Sequence, residues 1–303
     1  MKFLCICMSP AIDALVRLDR APKGEGEIFK DVADEENVGG KTVNVARWLA
    51  LRGADAVCGG LLGEDNAVLF ERELARCGIR DAFLRVPGPT RRNEMVAWDG
   101  GAFKINRAAF PSLGADFDPM KALDCAGEGG GGVAILSGSL PPAVPKDFYA
   151  KAVAALKKRG WTVVLDASGE ALRLGVEARP DVIKPNADEC EALVGFVPKD
   201  PDGFRKATDA LRGKVAHAVI SDGGSGAWFD GEFVAAPKIA LADTTAAGDT
   251  LLAEWCWRVY GLGADAKDAA AWAVAAGSAA CEMPGSTTPP PERVKALRDG
   301  IPA

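Results

Sequence analysis

The residues best suited to chemistry lie in the stretch 243–257, which reads D-T-T-A-A-G-D and continues with an apolar pattern at helical spacing. Ala246, Ala247 and Gly248 carry almost no side chain, so their backbone N–H groups can approach an anion closely. A helix N-terminus adds unpaired N–H donors and a partial positive charge there. A carboxylate at Asp249 could therefore take a proton from a hydroxyl while the backbone holds a transferring phosphoryl group.

Asp249 also has an ordinary structural interpretation. Aspartate is a preferred helix N-cap residue, and on this stretch alone the capping and catalytic interpretations are about equally good. The single histidine, His217, lies in an apolar run, which favours a structural role for it. A catalytic base in this chain is therefore expected to be a carboxylate.

A second candidate site is the stretch 38–44, which reads V-G-G-K-T-V-N. Its G-K-T triplet suggests a P-loop, but that motif needs a glycine five residues before its second glycine. Glu35 occupies that position and Glu36 follows it, so acidic groups would face the phosphates. The P-loop interpretation is rejected.

Two further segments follow predicted strands. Asp13 ends S-P-A-I-D, and Ser137 begins S-G-S-L-P-P. Ligands of open α/β sheets bind at the carboxyl ends of strands, where Asp13 could accept two hydrogen bonds from adjacent sugar hydroxyls and Ser137 could contact a small ligand. A simple turn is the alternative for each segment, and for Asp13 it is equally good.

Two later segments combine a strand end with polar or glycine residues. In K-P-N-A-D-E (184–189), Asn186 can cap a helix with Glu189 three residues on, which is a capping box in outline. The stretch 221–226, S-D-G-G-S-G, is a glycine-rich turn. It lacks the G-x-G-x-x-G spacing and comes late in the chain, so a dinucleotide site is disfavoured.

A basic cluster stands out in an otherwise acidic chain. It consists of T-R-R-N at 90–93, followed by Lys104 and Arg107. The guanidinium of Arg91 has the right shape for phosphate. A solvated surface is the alternative, because charge runs usually form one.

The elements that position these residues alternate along the chain. Strands are predicted at 3–7, 57–61, 133–136, 162–166, 182–184 and 218–221. Helices are predicted at 44–52, 67–77, 146–159, 187–194, 201–212, 250–260 and 265–281. Apolar strands separated by helices indicate a parallel sheet covered on both faces. The stretches 15–38 and 85–107 break the alternation and favour a small mixed sheet, and the glycine run 127–132 favours a loop.

Composition narrows the class of protein. The 303 residues are 48% hydrophobic and 26% charged, with a net charge of −6. The negative charge argues against a nucleic-acid-binding surface, and no apolar run reaches the ~18 residues of a membrane span. The eight scattered cysteines favour reduced thiols, and hence a cytoplasmic protein.

The motifs together resemble the PfkB (ribokinase-like) family of carbohydrate kinases. The family's signatures are G-G-K-G-x-N-x-A, K-P-N-x-x-E, S-L-G-x-x-G and D-T-x-G-A-G-D, and their counterparts here occur in the right order. N-P-A-x-D, T-R-x-N, S-G-S-L-P and D-x-S-G (here 166–169) are similar to the fructose-1-phosphate and tagatose-6-phosphate kinase branch. Thr42 and Ala246 replace glycines, Asp222 replaces a leucine, and I-N-R-A-A-F at 105–110 replaces I-N-E-P-G-P. The Ala246 change is expected to be mild unless a positive φ is needed. Thr42 could narrow the sugar pocket or alter the preferred sugar.

The resemblance implies a ribokinase-like three-layer α/β/α fold with a mainly parallel sheet and a small β-sheet lid. The large domain would comprise 1–14, 38–87 and 108–303, and the lid inserts 15–37 and 88–107. The implied reaction is transfer of the γ-phosphoryl of MgATP to a phosphorylated ketohexose, with a homodimer formed through the lid. A monovalent-cation requirement stays open.

The resemblance also implies roles for particular residues. Asp249 would be the base beside the anion-binding backbone of Ala246, Ala247 and Gly248. The implied sugar-binding residues are Asp13, Gly39, Gly40, Lys41, Asn44, Arg91, Lys104 and Ser137. The implied nucleotide-binding residues are Lys184, Asn186, Ser221, Gly223 and Gly226. Asn186 and Glu189 would organise Mg²⁺ through water.

Three alternatives remain at this point. The nearest is a kinase of the same fold that acts on a neutral sugar or a nucleoside. A catalytically silent binding protein is opposed by the intact Asp249, Asn186 and Glu189. A dinucleotide-dependent oxidoreductase lacks its fingerprint after the first strand.

Overall fold

The computed structural model describes residues 1–30, 33–114, 116–127 and 130–301. Its strands are β1 (Lys2–Cys7), β2 (Ala11–Arg17), β3 (Ala33–Gly39), β4 (Asp55–Gly63), β5 (Arg80–Val86), β6 (Arg92–Trp98), β7 (Gly101–Ile105), β8 (Gly132–Ser137), β9 (Thr162–Asp166), β10 (Val182–Ile183), β11 (His217–Ser221), β12 (Gly226–Phe229) and β13 (Glu232–Ala235). Its α-helices are α1 (Lys41–Leu51), α2 (Ala67–Arg76), α3 (Phe148–Lys158), α4 (Gly169–Glu177), α5 (Cys190–Val194), α6 (Pro201–Leu211), α7 (Ala247–Cys256), α8 (Ala266–Ala280) and α9 (Pro291–Asp299).

The large sheet has the order β13-β12-β11-β10-β9-β8-β1-β4-β5. Neighbouring strands from β11 to β5 run parallel, and β12 and β13 add an antiparallel edge. All six predicted strands fall within this sheet. The order places β8, β9 and β10 side by side, so residues at their carboxyl ends become neighbours although they are far apart in sequence.

Helices cover both faces of the large sheet. Alternate residues of β1 enter different apolar clusters, with Phe3 and Cys5 in one and Leu4 and Ile6 in the other. The first cluster packs residues of α1, α2, α7, α8 and α9 against the sheet, and the second packs residues of α3 and α4. The three-layer α/β/α arrangement expected from the sequence is confirmed.

A separate sheet of four strands has the order β3-β2-β6-β7. β2 pairs with β6 in parallel, and the other pairs are antiparallel, so the sheet is mixed as predicted. Its strands β2 and β3 extend to Ala11 and Gly39, beyond the insert 15–37. Part of that insert, residues 31 and 32, and residues 128 and 129 of the predicted glycine loop lie outside the described residues.

All eight cysteines are free thiols in the structure. Within the described ranges, no helix combines the length and apolar character needed to cross a membrane.

Candidate active site

The candidate site lies at the carboxyl ends of neighbouring strands of the large sheet. Ser137 ends β8, Asp166 ends β9, and Lys184 directly follows β10. Two helix N-termini meet these strand ends. Lys41, the first residue of α1, contacts Asp166, and a Cβ placed on Gly248 of α7 would lie 3.3 Å from Lys184 Nζ. The site therefore combines the usual ligand edge of an α/β sheet with two positive helix ends.

Asp249 is the third residue of α7 and only 5% exposed. Its Oδ2 accepts a hydrogen bond of 2.8 Å from Asn44 Nδ2 on α1. The N-cap of α7 is Ala246, and no side chain in the described ranges caps this helix. The capping interpretation of Asp249 is therefore wrong, because its carboxylate faces α1 and the strand ends.

Burial raises the pKa of Asp249 from 3.8 to about 6. Lys41, Lys184 and the hydrogen bond from Asn44 act in the opposite direction, but burial and the nearby Asp166 outweigh them. A carboxyl group with this pKa is mostly ionised at neutral pH and is a stronger base than an ordinary aspartate.

The backbone before Asp249 turns through a left-handed residue. Ala246 has φ 62° and ψ 4°, in the region that glycine adopts at no cost. An alanine there costs about 1–2 kcal/mol. The position does need a positive φ, so the stated condition under which replacing glycine is not mild is met.

Asp166 is a site residue to which the sequence analysis gave no role. It is fully buried and lies 3.2 Å from both Lys41 Nζ and Lys184 Nζ. Its Oδ2 also accepts a hydrogen bond of 3.0 Å from Ser137 Oγ. Burial alone would raise the pKa of Asp166, but the two lysines outweigh it and hold the pKa below its usual value. Asp166 thus holds two ammonium groups beside Asp249.

Asp13 lies where β2 of the small sheet approaches the large domain. Its Oδ1 accepts a hydrogen bond of 2.9 Å from Asn93 Nδ2 on β6. Gly39, paired with Ala11 on the neighbouring strand, leaves room for the carboxylate, because a Cβ at Gly39 would overlap Asp13 Oδ2. This glycine is needed for close approach and does not have a positive φ.

Gly39→Ala is expected to raise the KM for the sugar about tenfold, which corresponds to losing one hydrogen bond to a charged group. The new methyl group would displace the Asp13 carboxylate, and initial rates at varied sugar concentration measure the effect. Gly24→Ala is the matched control, because no atom of the described part of the chain lies within 4 Å of a Cβ there. An unchanged sugar KM in Gly39→Ala would contradict the predicted role of Asp13 in binding the sugar.

The cations of the basic cluster differ in whether a carboxylate neutralises their charge. Arg92 pairs with Glu36 and Glu94, and Arg107 pairs with Glu94 at 2.9 Å. Arg91 instead donates to the backbone carbonyls of Ser9, Pro10 and Arg107 at 2.9–3.3 Å. Among the described residues no carboxylate lies within 4.0 Å of Arg91, so its charge is held in place without a counter-ion.

Lys104 connects the small sheet with the large domain. Its Nζ lies 3.5 Å from Thr245 Oγ1 and 3.9 Å from Asp243 Oδ1. These two residues belong to the segment that leads to Ala246. A strand of the small sheet therefore reaches the loop that begins the candidate phosphoryl site.

Thr42 does not face the predicted sugar site. Its side chain is fully buried, with Oγ1 2.8 Å from the Ser137 carbonyl and 3.0 Å from the Ile6 carbonyl. Its single proton can be donated to one of them at a time, and either bond ties α1 to the sheet. The expectation that Thr42 narrows the sugar pocket is therefore wrong.

The predicted nucleotide segments lie side by side. Asn186 bridges to Ser221 at the end of β11. The reciprocal hydrogen bonds of the predicted capping box are present, because Asn186 Oδ1 accepts from the Glu189 N–H at 2.8 Å and Glu189 Oε2 accepts from the Asn186 N–H at 2.9 Å. They close the turn that leads into α5, which begins at Cys190 and not at the predicted residue 187. Gly223 and Gly226 shape the following turn with φ 51° and 138°.

Comparisons with known proteins agree with this geometry. A family model described as "pfkB family carbohydrate kinase" matches residues 7–293. A 1-phosphofructokinase of Rhodobacter capsulatus is 37% identical over 308 residues, covering 98% of this chain and 96% of the relative. A 1-phosphofructokinase of Escherichia coli K12 is 31% identical over 263 residues, covering 85% of this chain and 83% of the relative. The solved structure of Escherichia coli phosphofructokinase-2 in complex with potassium superposes with a TM-score of 0.86 at 25% identity, covering 99% and 98% of the two chains.

Proposed function

The chain belongs to the pfkB family of carbohydrate kinases, and we propose that it phosphorylates a ketohexose that already carries one phosphate, with fructose 1-phosphate as the first candidate. The observation that carries this choice is the Arg91 guanidinium, which keeps its positive charge without a carboxylate partner among the described residues. A neutral sugar would leave that charge without an anion. The names of the relatives, 1-phosphofructokinase, support the same substrate.

Different groups of the candidate site have different roles in phosphoryl transfer. Asp249 accepts the proton of the sugar hydroxyl as the hydroxyl oxygen bonds to the γ-phosphorus of ATP. The bond to the β,γ-bridging oxygen breaks, and ADP leaves. The backbone N–H groups at the start of α7 and the ammonium group of Lys184 stabilise the charge of the transferring group.

Asn44 orients both the base and the sugar. Its Nδ2 donates to Asp249, while its Oδ1 is buried and has no hydrogen-bond partner among the residues that the structure describes. A buried acceptor without a donor is costly, so a sugar hydroxyl that donates to Asn44 Oδ1 would remove that cost. Asp13 would hold the next hydroxyls, and Lys104 would close the small sheet over them.

The nucleotide side fits Mg²⁺ held mainly by water and phosphate. The capping box uses one oxygen each of Asn186 and Glu189 and leaves Glu189 Oε1 available. No group of three or more His, Cys, Asp or Glu side chains forms a metal cage within the described ranges. Such a donor set suits Mg²⁺, which retains waters and would neutralise phosphate charge when bound.

The remaining proposals concern cation, assembly and location. The potassium bound to phosphofructokinase-2 motivates comparing activity in KCl and in tetramethylammonium chloride. A homodimer through the sheet β3-β2-β6-β7 is proposed as the assembly, and light scattering of the purified protein measures its mass. The cytoplasmic location is also kept as a proposal.

The pH dependence of kcat should show an acid limb with a midpoint near pH 6. Below this pH Asp249 is protonated and cannot accept a proton, and above it Asp249 is ionised. Since the phosphate of the substrate also titrates near pH 6, kcat must be measured with both substrates saturating at each pH. A kcat that stays constant down to pH 5 would contradict the role of Asp249.

The experiment that tests the proposed function is ADP release from MgATP with a panel of acceptors. The panel contains fructose 1-phosphate, fructose 6-phosphate, tagatose 6-phosphate, fructose, ribose and adenosine. We expect fructose 1-phosphate to give the highest kcat/KM. Preference for a neutral compound would retain the fold and Asp249 but would assign Arg91 to the solvated surface.

A further inference from the structure

Glu254 is a fully buried carboxylate on α7 that the proposed reaction does not use. Its Oε2 accepts a hydrogen bond of 2.9 Å from Trp48 Nε1 on α1. Arg52, at the end of α1, lies 3.3 Å away, and Arg258, just beyond α7, donates to Oε1 at 2.8 Å. The Arg258 guanidinium stacks 3.6 Å from the centroid of the Trp272 ring on α8.

These contacts repeat, farther along the same two helices, the hydrogen bond at the candidate site. Asn44 on α1 meets Asp249 on α7, and four residues later Trp48 meets Glu254, five residues beyond Asp249. The two contacts lie about 6 Å apart along α1 and about 7.5 Å apart along α7. Asn44 and Trp48, four residues apart, share one face of α1, whereas Asp249 and Glu254, five residues apart, project about 140° apart around the axis of α7. α1 and α7 therefore run in the same direction and are joined at two points.

Two contacts between α1 and α7 restrict relative movements that a single contact would allow. A single hydrogen bond between Asn44 and Asp249 allows one helix to pivot or slide along the other. A second bond about 6 Å farther along α1 and about 7.5 Å farther along α7 restricts both movements. A buried ionic group is weak support for stability, because burying charges costs as much as pairing them returns, and its best-attested use is to fix register.

The charges of the Glu254 cluster also complement the helix ends at which the cluster lies. The cluster carries one carboxylate and two guanidinium groups, Arg52 and Arg258, where α1 and α7 both end. Two parallel helices bring two negative helix ends together, and cations stabilise such ends. At the opposite ends, the same parallel arrangement brings both positive N-termini to the strand ends, where Asp166 pairs with Lys41 and Lys184.

We propose that Glu254, together with Trp48, Arg52 and Arg258, is a positioning cluster that sets the register of α1 on α7 and so places Asn44 against the Asp249 carboxylate. Glu254 acts through the two helices and does not touch the substrate. The catalytic part of this inference rests on the proposed kinase function. Its structural part, the register of the two helices, does not.

The test is Trp48→Phe, which keeps a ring in the core and removes the donor to Glu254. Kinetics are measured where circular dichroism shows the variant to be folded. We expect kcat to fall about 10- to 100-fold, because a shift of about 1 Å at a reacting group costs on the order of 100-fold. The KM for ATP should stay within about threefold, since no nucleotide-binding group moves, whereas the KM for the sugar should rise because Asn44 is displaced. Arg258→Met is the second variant if Trp48→Phe does not fold.

Two comparisons separate positioning from general destabilisation. Val153→Ala truncates a buried residue of α3 in the opposite helical layer and should leave kcat within about twofold. In the Asn44→Ala background, Trp48→Phe should lower kcat little further, because the contact between Asn44 and Asp249 through which it acts is already absent. The proposal would be overturned if Trp48→Phe lost no more kcat than Val153→Ala. It would also be overturned if the kcat loss of the double variant equalled the product of the losses in Trp48→Phe and Asn44→Ala.

A crystal structure of Trp48→Phe tests the register independently of the substrate. We expect Asn44 Nδ2 and Asp249 Oδ2 to separate beyond 3.5 Å, from 2.8 Å in the wild type. An unchanged distance would overturn the proposal even if kcat fell. If the wild type phosphorylates no member of the acceptor panel, the proposed function fails while this distance still decides the register.

Discussion

Asp249→Asn should lower kcat about 1000-fold, within the range that a positioned general base contributes. Asparagine keeps the shape of the side chain and can still accept the hydrogen bond from Asn44, but it cannot take a proton from the acceptor hydroxyl. The KM for each substrate should stay within about threefold. Steady-state rates with MgATP and the sugar measure both quantities.

The same variant should be more stable than the wild type above pH 6. Because burial raises the pKa of Asp249 from 3.8 to about 6, the folded carboxyl binds its proton more tightly than the unfolded one. The wild type therefore loses stability as pH rises from about 4 to 6, by about 3 kcal/mol for a shift of about two pKa units. Denaturant unfolding at pH 4 and pH 7 should show no gain for Asp249→Asn at the lower pH and a gain of this order at the higher.

Asp265→Asn is the matched control for the loss of kcat predicted in Asp249→Asn. Asp265 is the N-cap of α8, where its carboxylate accepts from the Lys267 N–H, a role that asparagine fills equally well. Its kcat should stay within about twofold of the wild type. An Asp249→Asn variant with turnover within tenfold of the wild type would refute Asp249 as the base.

Arg91→Ala should raise the KM for fructose 1-phosphate about 100-fold and leave the KM for ATP within about threefold. One or two charge-assisted hydrogen bonds to a phosphate, at about 1.5–3 kcal/mol each, account for an effect of this size. The rate with unphosphorylated fructose should not fall, because that acceptor carries no phosphate for Arg91 to bind. Initial rates with each substrate varied in turn separate these quantities.

Arg92→Ala is the control, since it removes the neighbouring guanidinium. Arg92 already pairs with Glu36 and Glu94, so its charge is not available to a substrate. Its sugar KM should stay within about threefold of the wild type. Equal losses in the two variants, or an equal loss for ATP and sugar in Arg91→Ala, would place Arg91 outside the sugar site.

Local signals in the sequence predicted much of the large domain. The apolar runs of β1, β8 and β9 and the Asn186–Glu189 capping box depend on residues within a few positions of one another. α4 was not predicted, because Gly169 and Gly175 interrupt a helical pattern that propensity alone would favour. In the fold a Cβ at Gly175 would meet Leu165, so the glycine serves close packing.

The contacts that complete the site are not local. Asp166 meets Lys41 and Lys184 only because β8, β9 and β10 are neighbours in the sheet. The motif D-A-S-G marks the aspartate, and its position at a strand end was a usable signal, but its partners come from residues up to 125 positions away. The burial of Glu254 likewise depends on the packing of α7 against α1, which sequence spacing does not contain.

The central claim, phosphoryl transfer to a sugar that already carries a phosphate, is tested most directly by the ³¹P NMR spectrum of fructose 1-phosphate incubated with MgATP and the protein. The account predicts that two phosphomonoester resonances of a ketohexose bisphosphate grow in step with ADP, while fructose 1-phosphate disappears in equal amount. ADP accompanied by inorganic phosphate, with fructose 1-phosphate unconsumed, would contradict it.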